Sequence, residues 1–477
     1  MVNTDETVLL TDVTIITVDV SRRVILNGCV LISGSRILHV ASKAPTSLPP
    51  DTRTISLPGR IIIPGLINTH AHLAQSILRG LAEDLPLHSW LCDRIWPLEA
   101  SYQGDDGYAA ARLTIAEMLL SGTTCFLEAM LTHGSGVGNV ARAVEEMGIR
   151  ACLGKLVKFV ETNPALGVTD ARDRDVHHMS IDSLLDAHKT HHDSCDGRLQ
   201  VWAACGTPRG APLDGYAKVG EACKAHDIGI TMHCAEAPGD LPIFHDVYNM
   251  SPMAFCRDAG LTSRKTVLAH MCHLDGEPDL AILAETGTSV AHNPTSNLKL
   301  ASGIADVPAM LKAGVSVGLG TDGAPCNNSY DMLREMHLAS ILHRGVTLDA
   351  GSVGAHRALE MATIGGARAL GLATEIGSIE VGKKADLVVL DLRGSWAAPW
   401  DPETVRQGGL DPVDLVVGSC VGRDVELVMV DGRILVEDRK LVDIDEGEII
   451  KAARRAVTGI QSRSGVKATQ KADWTYE

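Results

Sequence analysis

Residues 61–75, IIIPGLINTHAHLAQ, determine the fold that we predict for this chain. The β-branched run at 61–63 predicts a strand, and His70 and His72 follow with one residue between them. Side chains alternate along a strand with a period of two, so both imidazoles would lie on one face. Two histidines at a strand end can bind one metal ion through neutral ring nitrogens and leave coordination positions for other ligands. The metal hypothesis therefore depends on partners elsewhere in the chain.

The composition favours one large α/β domain with an accessory domain. The 477 residues are 45% hydrophobic but only 3% aromatic, so Ala, Val, Ile and Leu must build the core, as in parallel strands covered by helices. The net charge of −16 argues against nucleic acid or an anionic membrane as a partner and favours a small-molecule substrate. The 12 cysteines form no C-x-x-C pair, the N-terminus is acidic and no apolar run reaches membrane-spanning length. We therefore expect a reduced, cytoplasmic protein.

Short strands separated by turns are predicted near both ends of the chain. Asn27-Gly28 is a hairpin sequence in the N-terminal part, and strand-like runs at 385–390, 415–417 and 425–430 repeat the pattern near the C-terminus. Between the two ends, apolar runs alternate with helical stretches, which indicates β/α units and, over roughly 300 residues, a closed barrel. We predict an α/β protein whose parts are a small β-sandwich domain built from both chain ends (1–62 and 376–440), a TIM-type (β/α)8 barrel (63–375) and a C-terminal helix or tail (441–477).

Three more strands supply partners for His70 and His72. His233 ends an apolar run, with Glu236 three residues later; His270 ends another; and Asp322 follows the alternating residues of a third. Each of them taken singly could be a hydrogen-bonded core histidine or a capping carboxylate. In a barrel, however, the carboxyl ends of all strands open onto one face, so these side chains would converge there. The joint pattern predicts a metal site.

The motifs PGLINTHAHLAQ, HCAE, LAHMCHL, AHNPTSNLKLASG and GLGTDGAPCNN resemble those of the amidohydrolase superfamily, in its deaminase and chlorohydrolase branch. The similarity covers nearly the whole chain, including GSIEVGKKADLVVLD at 377–391. It implies a distorted (β/α)8 barrel with one divalent metal ion, Zn²⁺ or alternatively Fe²⁺, and a homodimer or homotetramer. Carried over by position, it implies a proton shuttle at Glu236, a histidine beside water and substrate at His270, and metal ligands at His70, His72, His233 and Asp322.

The chemistry of these residues predicts hydrolysis. A divalent ion lowers the pKa of a bound water toward neutrality. Asp322 can accept the proton of that water, Glu236 can protonate a ring nitrogen of the substrate, and His270 can stabilise charge that develops on oxygen. Water added to the neighbouring ring carbon would then displace ammonia from an aminopurine or a related N-heterocycle. Halide or alkylamine departure would use the same groups, so the leaving group stays open.

The loops leave the substrate open as well. Residues 79–100 resemble the corresponding segment of adenosine-type deaminases, in which Trp90 would lie over the purine or its sugar, and ordinary helix packing is the alternative for Trp90. Gln75 and Arg209 instead resemble positions of guanine deaminases that hydrogen-bond the edge of the base, with a surface salt bridge as the alternative for Arg209. We expect an aminohydrolase for methylthioadenosine-like or S-adenosylhomocysteine-like compounds, with guanine deamination or triazine hydrolysis as alternatives. A non-catalytic barrel is disfavoured because no ligand or acid–base position is missing.

Three further features are less specific. Lys155 is not where a lysine that bridges two metals would be, so one metal is favoured, and Lys155 is either a substrate contact or a solvated lysine. Residues 160–176 contain Pro, Gly and several charges, as a loop over a pocket would. Residues 188–197 contain three histidines but also have the composition of a surface loop.

Overall fold

The computed structural model describes residues 6–160 and 169–468. Residues 161–168 of the predicted pocket loop and 469–477 of the predicted tail therefore lie outside the described residues. In chain order the strands are β1 (Thr7–Ile16), β2 (Val24–Ser33), β3 (Arg36–Ala41), β4 (Arg53–Ser56), β5 (Arg60–Pro64), β6 (Leu66–Ala71), β7 (Thr123–Leu131), β8 (Arg150–Leu156), β9 (Leu199–Cys205), β10 (Ile230–Cys234), β11 (Thr266–His270), β12 (Ser289–His292), β13 (Val317–Leu319), β14 (Leu387–Asp391), β15 (Val425–Val430), β16 (Arg433–Glu437) and β17 (Lys440–Leu441).

The α-helical segments lie mostly between the strands of the barrel and after them. In chain order they are α1 (Leu87–Trp90), α2 (Trp96–Glu99), α3 (Asp106–Leu120), α4 (Val137–Met147), α5 (Ile181–His191), α6 (Ser194–Gly197), α7 (Leu213–His226), α8 (Asp240–Tyr248), α9 (Pro252–Asp258), α10 (Glu277–Thr286), α11 (Pro294–Lys299), α12 (Val307–Lys312), α13 (Ala324–Asn327), α14 (Met332–Thr347), α15 (Ala355–Glu360), α16 (Gly366–Ala369), α17 (Pro402–Val405), α18 (Pro412–Ser419) and α19 (Glu446–Ser464).

The eight strands β6 to β13 form a parallel barrel in chain order. Their residues are buried on both faces, as in the pattern of β11, because side chains fill the interior while helices cover the outside. Ala71 of the first strand pairs with Asp322 after the last one, and the amide of Asp322 donates to the carbonyl of His70 at 2.9 Å. The barrel therefore closes where two of the predicted metal ligands lie.

The second sheet has nine strands and is built from both ends of the chain. Its main path runs β17-β16-β15-β14-β5-β1-β2-β3, and β4 pairs with β1. Edge strand β3 and the turn before it contact the segment that precedes β14. The amide of Ile37 donates to Lys383 O, and the amide of Ala385 donates to Ser35 O, both at 2.9 Å. The predicted fold class is confirmed, with this mixed sheet as the smaller unit, and the chain passes from sheet to barrel at Gly65.

The strand predicted at 415–417 is wrong, because these residues lie in α18. The side chain of Asp411 accepts a hydrogen bond from Val413 N, and Pro412 occupies the first helical position, where a missing N–H costs nothing. A short apolar run does not by itself distinguish a buried helix from a strand.

Two further expectations concern the cysteines and membrane-spanning segments. All 12 cysteines are free thiols. Among the helices of the described part of the chain, none is long and apolar enough to span a membrane.

Candidate metal centre and active site

The carboxyl ends of barrel strands carry the predicted site residues. His70 lies in β6, His233 in β10 and His270 at the end of β11, while Asp322 follows β13. The backbone turns sharply at these ends: His270 has φ +74° and Asp322 has φ +63°, in the left-handed region. For residues other than glycine such conformations cost about 1–3 kcal/mol and cluster at functional sites. The strain at both positions fits a site whose geometry the surrounding structure imposes.

Three histidines and one aspartate form a compact cluster at this end of the barrel. One ligand atom from each of His70, His72, His233 and Asp322 lies within 4.8 Å of the corresponding atom of the others, and no other such group occurs in residues 6–160 and 169–468. Nε2 of His72 lies 3.2 Å from Nε2 of His233 and 3.2 Å from Asp322 Oδ1, and Nε2 of His70 lies 3.5 Å from the same oxygen. The cluster contains the nitrogen and oxygen donors that suit Zn²⁺.

Burial keeps His70 and His233 in the neutral form that binds metal, whereas the carboxylate of Asp322 raises the pKa of His72 against the effect of burial. Burial lowers the pKa of His70 to about 4 and that of His233 well below its usual value, so both imidazoles are neutral at pH 7. Both ring nitrogens of His70, and Nδ1 of His233, are buried with no hydrogen-bond partner among the described residues. Burial alone would raise the pKa of Asp322, but the close approach of the His70 and His72 rings outweighs it and holds that pKa well below its ordinary value. Two neutral imidazoles with unpaired nitrogens, together with His72 and one carboxylate, fit a divalent cation.

Glu236 and His270 lie beside this cluster. Oε2 of Glu236 is 3.8 Å from Nε2 of His270, which is itself 3.9 Å from Asp322 Oδ2. Burial raises the pKa of Glu236 to about 7, so its carboxyl can gain and lose a proton near neutrality. Nδ1 of His270 donates to Asn297 Oδ1 at 2.8 Å, which leaves Nε2 facing Glu236 and Asp322. The arrangement suits proton transfer.

One pocket with about 550 Å³ of empty space brings these groups together with the predicted substrate contacts. Gln75, Trp90 and Arg209 all line it, as do His72 and Glu236. Trp90 is buried and its indole Nε1 has no hydrogen-bond partner among the described residues. A guanidinium nitrogen of Arg209 is 4.0 Å from Asp240 Oδ1, and the other contact of Arg209 is a weak one, 3.4 Å to Thr207 O. Arg209 therefore lines the pocket and also forms a long ion pair with the buried Asp240.

Sequence reasoning missed a chain of polar contacts behind Gln75. The amide nitrogen of Gln75 donates to Glu99 Oε1 at 2.9 Å, and the guanidinium of Arg172 donates to Glu99 Oε2 at 2.9 Å. Arg172 also pairs with Asp170 at 2.8 Å and lies 4.9 Å from the centre of the Trp96 ring. Arg172 belongs to the predicted pocket loop and lines the pocket. The sequence shows that this loop carries charged residues, but it does not show which residues they pair with.

Lys155 lies inside barrel strand β8 and is buried, so the interpretation as a solvated lysine is wrong. Its Nζ donates to Leu156 O at 3.3 Å and to His178 O at 3.0 Å, and it is absent from the lining of the pocket and from the metal cluster. Of the histidine-rich segment, His188 and His191 lie on α5 rather than in a loop.

The fold and the site together define a (β/α)8-barrel protein with a site for one metal ion. The amidohydrolase family model matches residues 61–435, and the chain belongs to the amidohydrolase family. It is 37% identical over 444 residues to a protein of Moorella thermoacetica named 5-methylthioadenosine/S-adenosylhomocysteine deaminase, with 93% of this chain and 97% of that one covered. It is 33% identical over 462 residues to a 5'-deoxyadenosine deaminase of Methanobrevibacter smithii, with 97% and 100% covered. A crystal structure of an adenosine deaminase from Xanthomonas campestris with bound zinc matches with TM-score 0.84 and 30% identity, covering 96% of this chain and 99% of that one.

Proposed function

We propose that this amidohydrolase is a metal-dependent deaminase of adenine nucleosides of the methylthioadenosine, S-adenosylhomocysteine or 5'-deoxyadenosine type. The observation that carries the proposal is the position of Glu236, a buried carboxyl with a pKa of about 7 that lies 3.8 Å from His270 in the pocket beside the four-residue cluster. The names of the relatives support the adenine nucleoside as the substrate class.

The metal is proposed to be one Zn²⁺ ion, held by His70, His72, His233 and Asp322. When bound, such an ion lowers the pKa of a water toward neutrality and so supplies a nucleophile at pH 7. Fe²⁺ is the alternative, because imidazole nitrogen and carboxylate oxygen also suit it.

The protein residues move the protons that the reaction requires. Asp322 Oδ2 lies on the side of the carboxylate nearest His270 and can accept a proton from the attacking water. The protonated carboxyl of Glu236 can donate to a ring nitrogen of the purine, which makes the neighbouring amino-bearing carbon electrophilic. Oxygen then bonds to that carbon, the amino group takes the proton held by Asp322, and the carbon–nitrogen bond breaks to release ammonia. The proton left on the added oxygen returns to Glu236 as the carbonyl forms. His270 Nε2 can stabilise the developing charge on the oxygen.

The pocket walls fit a heterocycle with a polar substituent. Trp90, Leu87 and Leu300 supply an apolar wall, whereas Gln75 and Arg209 lie on polar parts of the lining. A flat base could pack against the indole of Trp90. Binding sites for small ligands commonly combine an apolar wall with a few fixed polar groups in this way.

Guanine deamination is the second candidate, and the joint presence of Gln75 and Arg209 in the pocket favours it. Arg209 can donate to a carbonyl oxygen of an oxopurine, which an adenine nucleoside lacks. The amide nitrogen of Gln75 is already bound to Glu99, however, so Gln75 has fewer donors for a base than a free glutamine would have.

The test is ammonia release by the purified, zinc-loaded protein from methylthioadenosine, S-adenosylhomocysteine, 5'-deoxyadenosine, adenosine, guanine, 8-oxoguanine and aminotriazines. We expect release from the adenine nucleosides. Release from guanine alone would replace the proposal by the second candidate, and silence across the panel with metal bound would reject a purine substrate. Light scattering on the same sample tests the predicted homodimer or homotetramer.

A further inference from the structure

Glu335 is a buried carboxylate that the reaction does not use directly. It lies in α14, is only 1% exposed and does not line the pocket. No Lys or Arg forms an ion pair with it among the described residues; instead it accepts three hydrogen bonds. A buried carboxylate without a cation is costly to keep, so its contacts need an explanation.

The first route from Glu335 to the metal site runs through α11. Oε1 of Glu335 accepts from Thr295 Oγ1 at 2.7 Å, and Oε2 accepts from Thr295 N at 3.3 Å. The next residue, Ser296, donates its hydroxyl hydrogen to Asp322 Oδ2 at 2.6 Å. The residue after that, Asn297, accepts from Nδ1 of His270 at 2.8 Å. Three consecutive residues of one short helix thus connect Glu335, Asp322 and His270.

The second route runs through α13. Nδ2 of Asn327 donates to Glu335 Oε1 at 2.8 Å and to the carbonyl of Thr321 at 2.7 Å. Thr321 immediately precedes Asp322, whose backbone is in the left-handed region with φ +63°. Glu335 therefore contacts the supports of Asp322 on two sides, one for its side chain and one for its backbone.

We propose that Glu335 is a positioning residue of the metal site, which fixes Thr295 and Asn327 and through them orients Asp322 and His270. The proposal rests on the metal site of the proposed function. Hydrogen-bonded neighbours of metal ligands orient those ligands, and their loss typically weakens metal binding about 10–100-fold.

The experiment compares zinc affinity, measured by competition with a chelator, in the wild type, Glu335→Gln and a matched control, Asp279→Asn. Asp279 is fully buried and accepts from Ser251 Oγ and from the amides of Met253 and Asp275, but none of these contacts involves the metal cluster. We expect Glu335→Gln to weaken zinc binding about 10–100-fold and Asp279→Asn to leave it unchanged, even if both lower thermal stability. Equal zinc affinity in Glu335→Gln and wild type, or an equal loss in Asp279→Asn, would overturn the proposal.

Two further variants test the route and remain informative if Glu335→Gln does not fold. Thr295→Val keeps the side-chain shape and removes only the hydroxyl bound to Glu335, so we expect a smaller loss of zinc affinity in the same direction. Ser296→Ala should weaken zinc binding. Thr295→Val should then reduce zinc affinity less in the Ser296→Ala variant than in the wild type, because the effects of coupled residues are not additive. Full additivity, or no effect of Thr295→Val, would contradict action through Ser296.

Zinc binding needs no substrate, so the two proposals can fail separately. A wild type that binds zinc but deaminates nothing in the panel would reject the proposed function and leave the role of Glu335 standing. In variants that retain activity, kcat should fall at saturating zinc while KM stays near the wild-type value, because Glu335 does not line the pocket. A rise in KM alone would contradict the positioning role.

Discussion

Oε2 of Glu236, which lines the pocket, lies 3.8 Å from Nε2 of the fully buried His270. The pair combines a carboxyl whose pKa burial raises to about 7 with an imidazole whose other nitrogen is already bound to Asn297. The pair therefore places a carboxyl that can titrate near neutrality next to an imidazole of fixed orientation.

Glu236→Gln should remove turnover while preserving metal content. The amide keeps the size of the side chain but cannot transfer a proton, and loss of a positioned general acid typically lowers the rate about 10²–10⁴-fold. Ammonia release and zinc content by elemental analysis measure the two effects, with the exposed Glu221→Gln as the control. Unchanged turnover would remove Glu236 from the mechanism.

Zinc should raise the melting temperature of the metal-free protein. A ligand that binds only the folded state adds about 4 kcal/mol at 1,000 times its dissociation constant. His233→Ala should abolish most of this shift because it removes a proposed ligand, whereas the exposed His226→Ala should retain it. Thermal melts with and without zinc provide the measurement, and the same shift in His233→Ala as in wild type would argue against the ligand set.

Lys155 should make the protein more stable as the pH rises from 8 to 10.5. Burial lowers the pKa of Lys155 from 10.5 to about 8, so in this range the folded protein binds fewer protons there than the unfolded chain does. Below pH 8 the folded protein bears the full cost of burying the charge. As the pH rises to 10.5 that cost disappears, and the free energy of unfolding increases by up to about 3 kcal/mol.

Lys155→Met should remove this pH dependence, as measured by denaturant unfolding at pH 7.5, 8.5 and 9.5. The exposed Lys224→Met is the control and should keep the wild-type slope. The same slope in Lys155→Met as in wild type would show that Lys155 is not the group responsible.

Substitutions of Trp90 and Arg209 should separate the two candidate substrates. If the adenine nucleoside packs against the indole, Trp90→Leu should raise KM for methylthioadenosine about tenfold, since an aromatic contact contributes about 0.5–1.5 kcal/mol beyond its buried area. Arg209→Gln should change that KM little. A large rise in KM for Arg209→Gln, with a small one for Trp90→Leu, would instead favour recognition of an oxopurine edge; zinc content should stay constant in both variants.

The barrel was predictable because each ligand follows a strand of simple pattern. His233 and Asp322 follow apolar runs of barrel strands, and the rule that parallel strands end on one face brings them together. The β-branched run before His70 and His72 instead forms β5 of the second sheet, and His70 lies in the next strand, β6. The segment at 415–417 was not predictable in the same way, because three apolar residues fit a buried helix as well as a strand.

The sequence by itself determined the fold class, the family and the residues that form the metal cluster, because these depend on periodicity along single strands and on long motifs. Only the tertiary structure decided how those residues are held: that Glu335 supports Asp322 through α11 and α13, that Arg172 and Gln75 share Glu99, and that Lys155 is buried. Such contacts join segments distant in sequence or on different elements. Polar partners of this kind depend on how the elements pack around the barrel, which no local pattern of residues specifies.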